Sequence, residues 1–268
     1  MDAGPLRDIL TLLLGVATGM LSGAFGVGGA VISTPGIRVL GASALVAIGT
    51  TLPSILPSAA SGTARYVRED LVVWRAVVLT APIGVAASVA GSLLSRVVPG
   101  DGHLLQIATA GLLGLTAWRM GRGARVRPDI PTAAPAEPEP PSPAPVSPMS
   151  YAVVGLLAGL LSGLLGIGGG VVMVPAFNQV ARMPLKQAIA TSLVCVGLFA
   201  VPGTITHAAI GNIDWRFALL LAIGVVPGAR IGAAAAIRAT DRRLRLAVAA
   251  FLGAVAVIYA VGEVVALV

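Results

Sequence analysis

The chain contains one apolar motif twice, and glycine interrupts it both times. The stretch LSGAFGVGGAVISTP (residues 21–35) matches LSGLLGIGGGVVMVP (residues 161–175). After the offset between the copies increases by one residue, the match continues. It includes two adjacent hydroxyl residues, at 50–51 and 191–192, and later Trp-Arg pairs. An internal duplication therefore spans nearly the whole chain, and the second half must repeat the fold of the first.

Most of the remaining sequence is apolar over lengths that can cross a bilayer. A helical span needs roughly 20 apolar residues. Runs of about this length recur at 43–64, 71–97, 102–120, 186–210, 214–238 and 244–266. Only 11% of the residues are charged, whereas a water-soluble domain carries about 25%. The sequence predicts an all-α, polytopic helical membrane protein, and its N-terminal apolar stretch is interpreted as a membrane segment rather than a signal peptide.

Each copy begins with two shorter apolar pieces that are joined at the glycine motif. They cover about 9–25 and 29–41 in the first copy, and 151–167 and 169–183 in the second. Pieces of about 15 residues are too short to cross comfortably, and broken backbone at membrane depth is tolerated only inside protein or beside a water-filled cavity. We therefore predict a hairpin of short helices in each copy, followed by three long transmembrane helices.

A Pro- and Ala-rich segment, RPDIPTAAPAEPEPPSPAPVSP, separates the copies and has no apolar periodicity. Such a segment is typical of a solvated linker. The predicted domains are a first transmembrane repeat over 1–121, a linker over 122–148 and a second transmembrane repeat over 149–268.

The arginines predict the orientation in the membrane. An odd number of crossings in each copy makes the second repeat inverted relative to the first. Arginines beside the linker place it in the cytoplasm by the positive-inside rule, and the Arg238–Arg245 cluster then also lies inside. Because the net charge of +7 is concentrated at the ends of apolar runs, nucleic acid is not an expected partner. The predicted location is the cell inner (plasma) membrane, with several passes.

Inverted repeats with interrupted helices are a transporter architecture, in which the substrate site lies near the midplane. A helix that starts near Gly29 or Gly169 points its positive dipole end at the break. Two such ends that face one cavity would attract an anion. The duplicated break therefore predicts an anion-binding site.

The residues also resemble a known family. The motif from Gly166 to Pro175, the Thr191-Ser192 pair, HAAIGNIDW from His207 and PGARIGA from Pro227 are similar to the TauE/SafE sulfite exporter family. The resemblance covers the chain apart from the linker. It implies an inner-membrane carrier for a small sulfur-containing or organic anion, such as sulfite, a sulfonate, a sulfoacetate-like compound or a short carboxylate. Ala30 departs from the motif, because it stands where the third glycine would be.

The candidate substrate-binding residues are glycines at the breaks, hydroxyls early in the third segment of each copy, and one arginine within a span. They are Gly26, Gly28, Gly29, Thr50, Thr51, Gly168, Gly169, Gly170, Thr191, Ser192 and Arg230. The alternatives are close helix packing for the glycines, back-bonding to helix carbonyls for the hydroxyls and snorkelling to the interface for the arginine.

Three further residues are candidates for other roles. His207 and Tyr66 occupy matching positions in the two copies, and either could serve proton transfer or gating, although a structural role is the alternative. Asn178 could offer its amide to the substrate or cap a helix end. No catalytic residues, metal or cofactor are expected.

The predicted function is secondary transport by alternating access. An anion channel, a purely structural membrane protein and an intramembrane enzyme are the alternatives, and the enzyme has least support because no HExxH motif or acidic pair lies in mid-membrane. The expected partners are a small anion and the lipid bilayer, with a homo-oligomer left open.

Overall fold

The computed structural model describes residues 4–95, 103–126, 147–165 and 169–267, and these residues are helical with short connections. The first copy contributes α1 (Pro5–Phe25), α2 (Ala30–Val39), α3 (Ala44–Val67), α4 (Trp74–Ser95) and α5 (His103–Val126). The second copy contributes α6 (Pro148–Leu165), α7 (Gly170–Gln179), α8 (Leu185–Ala209), α9 (Trp215–Arg238) and α10 (Asp241–Leu267). The prediction of an all-α polytopic chain is confirmed for this part of the sequence.

Four helices are long and apolar enough to cross a membrane among the residues described: Pro5–Phe25, Trp74–Gly91, Leu185–Ala209 and Trp215–Arg238. Helices α3 and α10 have 24 and 27 residues, so they too have the length of a span. The prediction of a short first piece is wrong, because α1 has 21 residues and begins at Pro5. Proline in the first turn is compatible with helix and starts it ahead of the apolar run.

The boundary of the linker also differs from the prediction. Helix α5 continues to Val126, which lies past the predicted linker start at 122. Arg122 remains within that helix and stacks on the ring of Trp118 at 4.0 Å. The rest of the predicted linker up to 146 lies outside the described residues.

The first helix of each copy packs against the fourth helix of the other copy. A side-chain carbon at Gly15 of α1 would lie 2.8 Å from the carbonyl oxygen of Leu221 in α9. The equivalent carbon at Gly155 of α6 would lie 2.6 Å from the carbonyl oxygen of Thr80 in α4. In each pair, later residues of one helix contact later residues of the other, so the two helices are parallel. The small residues at these contacts let the two backbones approach closely.

Equivalent helices of the two copies run in opposite directions. In the pair of α3 and α8, Gly49 lies beside His207 at one end, and Gly62 lies beside Leu193 at the other. Helix α5 runs antiparallel to α10 in the same way. Two pairs of equivalent helices therefore pack antiparallel.

The two ends of the helix assembly are distinct. The N-terminal end holds the starts of α1, α3 and α9, where Arg216 bonds Asp8 at 2.6 Å. The linker end holds the starts of α6, α8 and α10, where the Lys186 ammonium donates to the carbonyl oxygen of Ile237 at 2.7 Å. Trp74 and Trp215 begin α4 and α9 at opposite ends and are 55% and 56% exposed, which suits interfacial anchors.

Candidate functional site

The chain breaks between helices where the glycine motifs predict. Helix α1 ends at Phe25, and Gly26, Gly28 and Gly29 have φ angles of 68°, 82° and 75°. Gly169 has a φ of 68° directly before α7. L-residues with side chains are strained in this left-handed region, so the breaks require glycine. Gly168 lies outside the described residues.

The two breaks meet in the protein interior. A side-chain carbon at Gly170 would lie 2.6 Å from both the carbonyl oxygen of Gly26 and the Cα atom of Val27. Val27 is only 2% exposed, and Gly28, Gly29 and Gly169 are buried. We call Gly26–Gly29 the first elbow and Gly169–Gly170 the second elbow. No side chain fits between them, so backbone atoms form their contact.

Two helix N-termini start from these elbows. Helix α2 has Gly29 as its N-cap and α7 has Gly169, and among the residues that the structure describes no side chain caps either helix. The far end of α2 packs through Ile37 against Leu221 at the N-terminal end, whereas Asn178 near the end of α7 bonds Arg245 at the linker end. The helices therefore diverge, and the partial positive charges of both N-termini point toward the elbows.

The first hydroxyl of each pair joins the two copies. Thr50 Oγ1 accepts the backbone N–H of Asp214 at 2.9 Å, and Thr191 Oγ1 accepts the backbone N–H of Val73 at 3.2 Å. Asp214 and Val73 are themselves equivalent in the duplication. The structure therefore adds an inter-repeat role that the sequence did not predict for these threonines.

The second hydroxyl of each pair bonds nearby carbonyls. Thr51 Oγ1 donates to the carbonyl oxygen of Ile48 at 3.0 Å. Ser192 Oγ lies 2.9 Å from the carbonyl oxygen of Ile189 and 3.0 Å from that of Gly26. Thr51 Oγ1 also lies 3.2 Å from Thr34 Oγ1 on α2. Both hydroxyls therefore make a back-bond, and each has one further contact, Thr51 with α2 and Ser192 with the first elbow.

Further buried hydroxyls beside the first elbow were missed by the sequence analysis. Ser58 on α3 donates to Ser22 Oγ on α1 at 3.1 Å. The Thr18 hydroxyl, one turn away from Ser22, is buried and has no hydrogen-bond partner among the described residues. Thr18 also touches Gly29, where an added side-chain carbon would lie 2.6 Å from its methyl group. The available signal was the three-to-four-residue spacing of Thr51, Ser54, Ser58 and Ser61 along α3.

The remaining candidates lie elsewhere. Arg230 is exposed and lines a cleft between α3 and α9, rather than an elbow. Tyr66 is fully buried and its hydroxyl donates to the carbonyl oxygen of Gly23 at 2.6 Å, which is a structural contact. His207 lies at the other end of the assembly, beside Gly49. The Asn178 amide donates to the carbonyl oxygen of Met183 at 2.8 Å, which fits the alternative of a cap.

Comparison with known proteins identifies the family. The model of the sulfite exporter TauE/SafE family matches residues 11–259. The chain belongs to the TauE/SafE sulfite exporter family. TauE/SafE membership and the apolar helices make it a multi-pass membrane transporter.

Several TauE/SafE relatives match along most of their length. A probable membrane transporter protein of Xylella fastidiosa (strain 9a5c) is 31% identical, over 84% of this chain and 82% of its own. The probable membrane transporter proteins YunE and YjnA of Bacillus subtilis are each 26% identical, and cover 84% and 91% of this chain and 87% and 96% of their own length. No solved structure matches the chain at a significant level.

Proposed function

We propose that this protein is a secondary transporter that moves a small sulfur-containing or organic anion by alternating access. The contact of the two elbows carries the proposal, because it brings two uncapped helix N-termini to one buried place. Helix N-termini combine exposed N–H groups with a positive partial charge, and both favour an anion. The elbow glycines allow the anion to approach the backbone directly.

The proposed site uses neutral donors around the elbows. Thr18, whose methyl group lies beside Gly29, has a buried hydroxyl without a partner among the described residues, so this hydroxyl can donate to an oxyanion. The Ser192 hydroxyl lies against Gly26 and can exchange a carbonyl for a substrate oxygen. Hydroxyl and amide donors bind an anion without the cost of burying a fixed cation in the membrane. Sulfite, sulfonates and short carboxylates all carry oxygens that such donors can satisfy.

The alternation of access is proposed from the reciprocal packing of the two copies. Equivalent helices run antiparallel, so exchanging the conformations of the copies would expose the elbows to the opposite end. Prolines lie inside helices of both copies, where they favour kinks at which helices can flex. These prolines include Pro53, Pro57, Pro82, Pro202 and Pro227.

The proposed orientation places the linker end in the cytoplasm and the protein in the inner membrane. Arg238, Arg242, Arg243 and Arg245 flank the turn from α9 to α10 at that end. The N-terminal end holds fewer basic residues, among them Arg216, which Asp8 neutralises. This distribution follows the positive-inside rule.

A charge placed at the first elbow tests the site. Ala30 is the first residue of α2, so Ala30→Asp would put a carboxylate at the proposed anion position, and Ala30→Asn supplies the same size without charge. We expect Ala30→Asp to abolish saturable uptake of labelled sulfite, methanesulfonate or acetate into proteoliposomes, and Ala30→Asn to retain it. Ala30→Gly, which restores the residue of the second copy, should behave as wild type. Equal transport by the Asp and Asn variants, both folded by size-exclusion profile, would refute the elbow site.

A further inference from the structure

A cleft of about 400 Å³ lies between α3 and α9 at the linker end, apart from the elbows. Three arginines line it: Arg65 from the last turn of α3, Arg68 directly after that helix, and Arg230 from α9. Among the described residues that line the cleft, none is acidic. The cleft therefore gathers three positive charges without a neutralising carboxylate in its wall, and a bound anion would relieve their mutual repulsion.

One of these arginines has an unused donor. The Nε atom of Arg65 is buried and has no hydrogen-bond partner among the residues that the structure describes. A buried donor without a partner costs free energy. An oxyanion in the cleft would accept a hydrogen bond from this N–H group. It would also accept the paired N–H hydrogen bonds of a neighbouring guanidinium.

The lining of the cleft runs from buried Ser61 to exposed Ile231. At its inner wall, Ser61 donates to the carbonyl oxygen of Val226 at 2.8 Å, and the next residue, Gly62, packs against Leu193. On its outer rim, Ile231 is apolar and 52% exposed. The site thus combines a cationic pocket with an adjoining apolar surface.

The duplication does not repeat the three arginines. The residues equivalent to Arg65, Arg68 and Arg230 are Thr206, Ala209 and Val89. The reciprocal position at the N-terminal end therefore has none of the three charges. Pockets of basic residues between transmembrane helices at the cytoplasmic side suit phospholipid headgroups.

We propose that the cleft of Arg65, Arg68 and Arg230 binds an oxyanion group of the phosphate or sulfonate type. The headgroup of an anionic phospholipid and a free anion from solution are the two sources that share this chemistry. Neither source requires that the elbows bind substrate, so the proposal is independent of the proposed transport function.

The experiment uses full-length, delipidated protein in neutral detergent, with thermal stabilisation as the readout. One arm adds short-chain phosphatidylglycerol, with phosphatidylcholine for comparison, and the other adds inorganic phosphate or methanesulfonate. Arg65→Gln and Arg230→Gln should each weaken the apparent affinity about tenfold, the effect of losing one charge-assisted hydrogen bond. Arg238→Gln is the matched control, because it removes one charge from the same helix end without lining the cleft.

Each result decides the proposal. Stabilisation by phosphatidylglycerol alone assigns the cleft to a lipid headgroup, and stabilisation by phosphate or methanesulfonate assigns it to a free anion, provided that the cleft variants lose the effect. Absence of stabilisation in both arms, or an equal loss in Arg238→Gln, overturns the proposal. Ala30→Asp should keep this stabilisation, so failure of the elbow site and failure of the cleft give different results.

Discussion

Helices α3 and α8 are the same element in the two copies, yet their buried faces differ in chemistry. The buried hydroxyl residues of α3 are Thr50, Thr51, Ser54, Ser58 and Ser61. The equivalent residues of α8 are Thr191, Ser192, Cys195, Phe199 and Pro202. The copies therefore share the first two hydroxyls and diverge over the next two turns.

Several residues that the copies share make reciprocal contacts between them. Thr50 and Thr191 make reciprocal bonds to the connections before α9 and α4, and glycines make reciprocal backbone contacts between the first and fourth helices. Of the residues that diverge, Ser58 on α3 bonds within the first copy, whereas Ser61 bonds the carbonyl oxygen of Val226 in the second copy. The duplicated residues thus join the copies reciprocally, and the hydroxyls present on α3 alone add bonds that the duplication does not repeat.

The largest expected effect comes from filling a glycine contact. In Gly19→Ala the added methyl carbon would lie 2.7 Å from the Cα atom of Val225 on α9, so α1 and α9 must separate. Gly159→Ala would do the same between α6 and α4, against the backbone of Gly84. We expect each substitution to destabilise the protein by about 3 kcal/mol, at the upper end of overpacking costs, measured as reversible unfolding in detergent.

Gly111→Ala is the control for this comparison, because no described atom of another helix lies within 4 Å of its added carbon. It should be at least as stable as wild type, because alanine favours a helix over glycine. A large difference in unfolding free energy between Gly19→Ala and Gly159→Ala would contradict this comparison. It would show that the two interfaces have similar geometry but contribute unequally to stability.

Much of the frame could be predicted from the sequence, because the duplication and the apolar runs act over many residues. Helix breaks at Gly29 and Gly169 followed from the glycine motifs, since positive φ angles leave few other residues possible. The apolar pattern does not predict the start of α1 at Pro5, because polar residues before position 9 interrupt it. The helix nevertheless begins there, since proline is compatible with the first turn of a helix.

The partners of side chains were harder to predict than the helices. The hydrogen bond between Thr191 and Val73 forms because two segments that are distant in sequence lie close together in the fold. Local periodicity does not encode such an approach. Arg230 was assigned to the substrate from its depth in a span, but its direction around α9 places it in a cleft with Arg65. The sequence gives the position of a charge along a helix, while the neighbouring helices determine what that charge meets.

The inter-repeat hydroxyls should have the next largest effect. Thr191→Val keeps the shape but removes the acceptor for the Val73 N–H, and Thr50→Val does the same for the Asp214 N–H. Leaving a buried or partly buried donor unsatisfied costs about 1–3 kcal/mol, so both variants should lower the unfolding free energy by that amount. Thr191→Ser and Thr50→Ser retain the acceptor and should recover most of it. A valine variant as stable as wild type would show that water satisfies the amide instead.

The smallest effect is expected where the copies differ at the surface. Arg216 bonds Asp8 at 2.6 Å, whereas its equivalent Arg75 has proline, Pro148, at the position that corresponds to Asp8. The ion pair is solvated, with side chains 56% and 30% exposed, and exposed pairs contribute about 0–1 kcal/mol. Asp8→Asn should therefore lower the unfolding free energy by less than about 1 kcal/mol, and the difference should shrink as salt is raised because exposed charges are screened. A larger, salt-independent loss would mean that Asp8 fixes the start of α1 against α9, and that this end of the assembly depends on a contact which the duplication does not repeat.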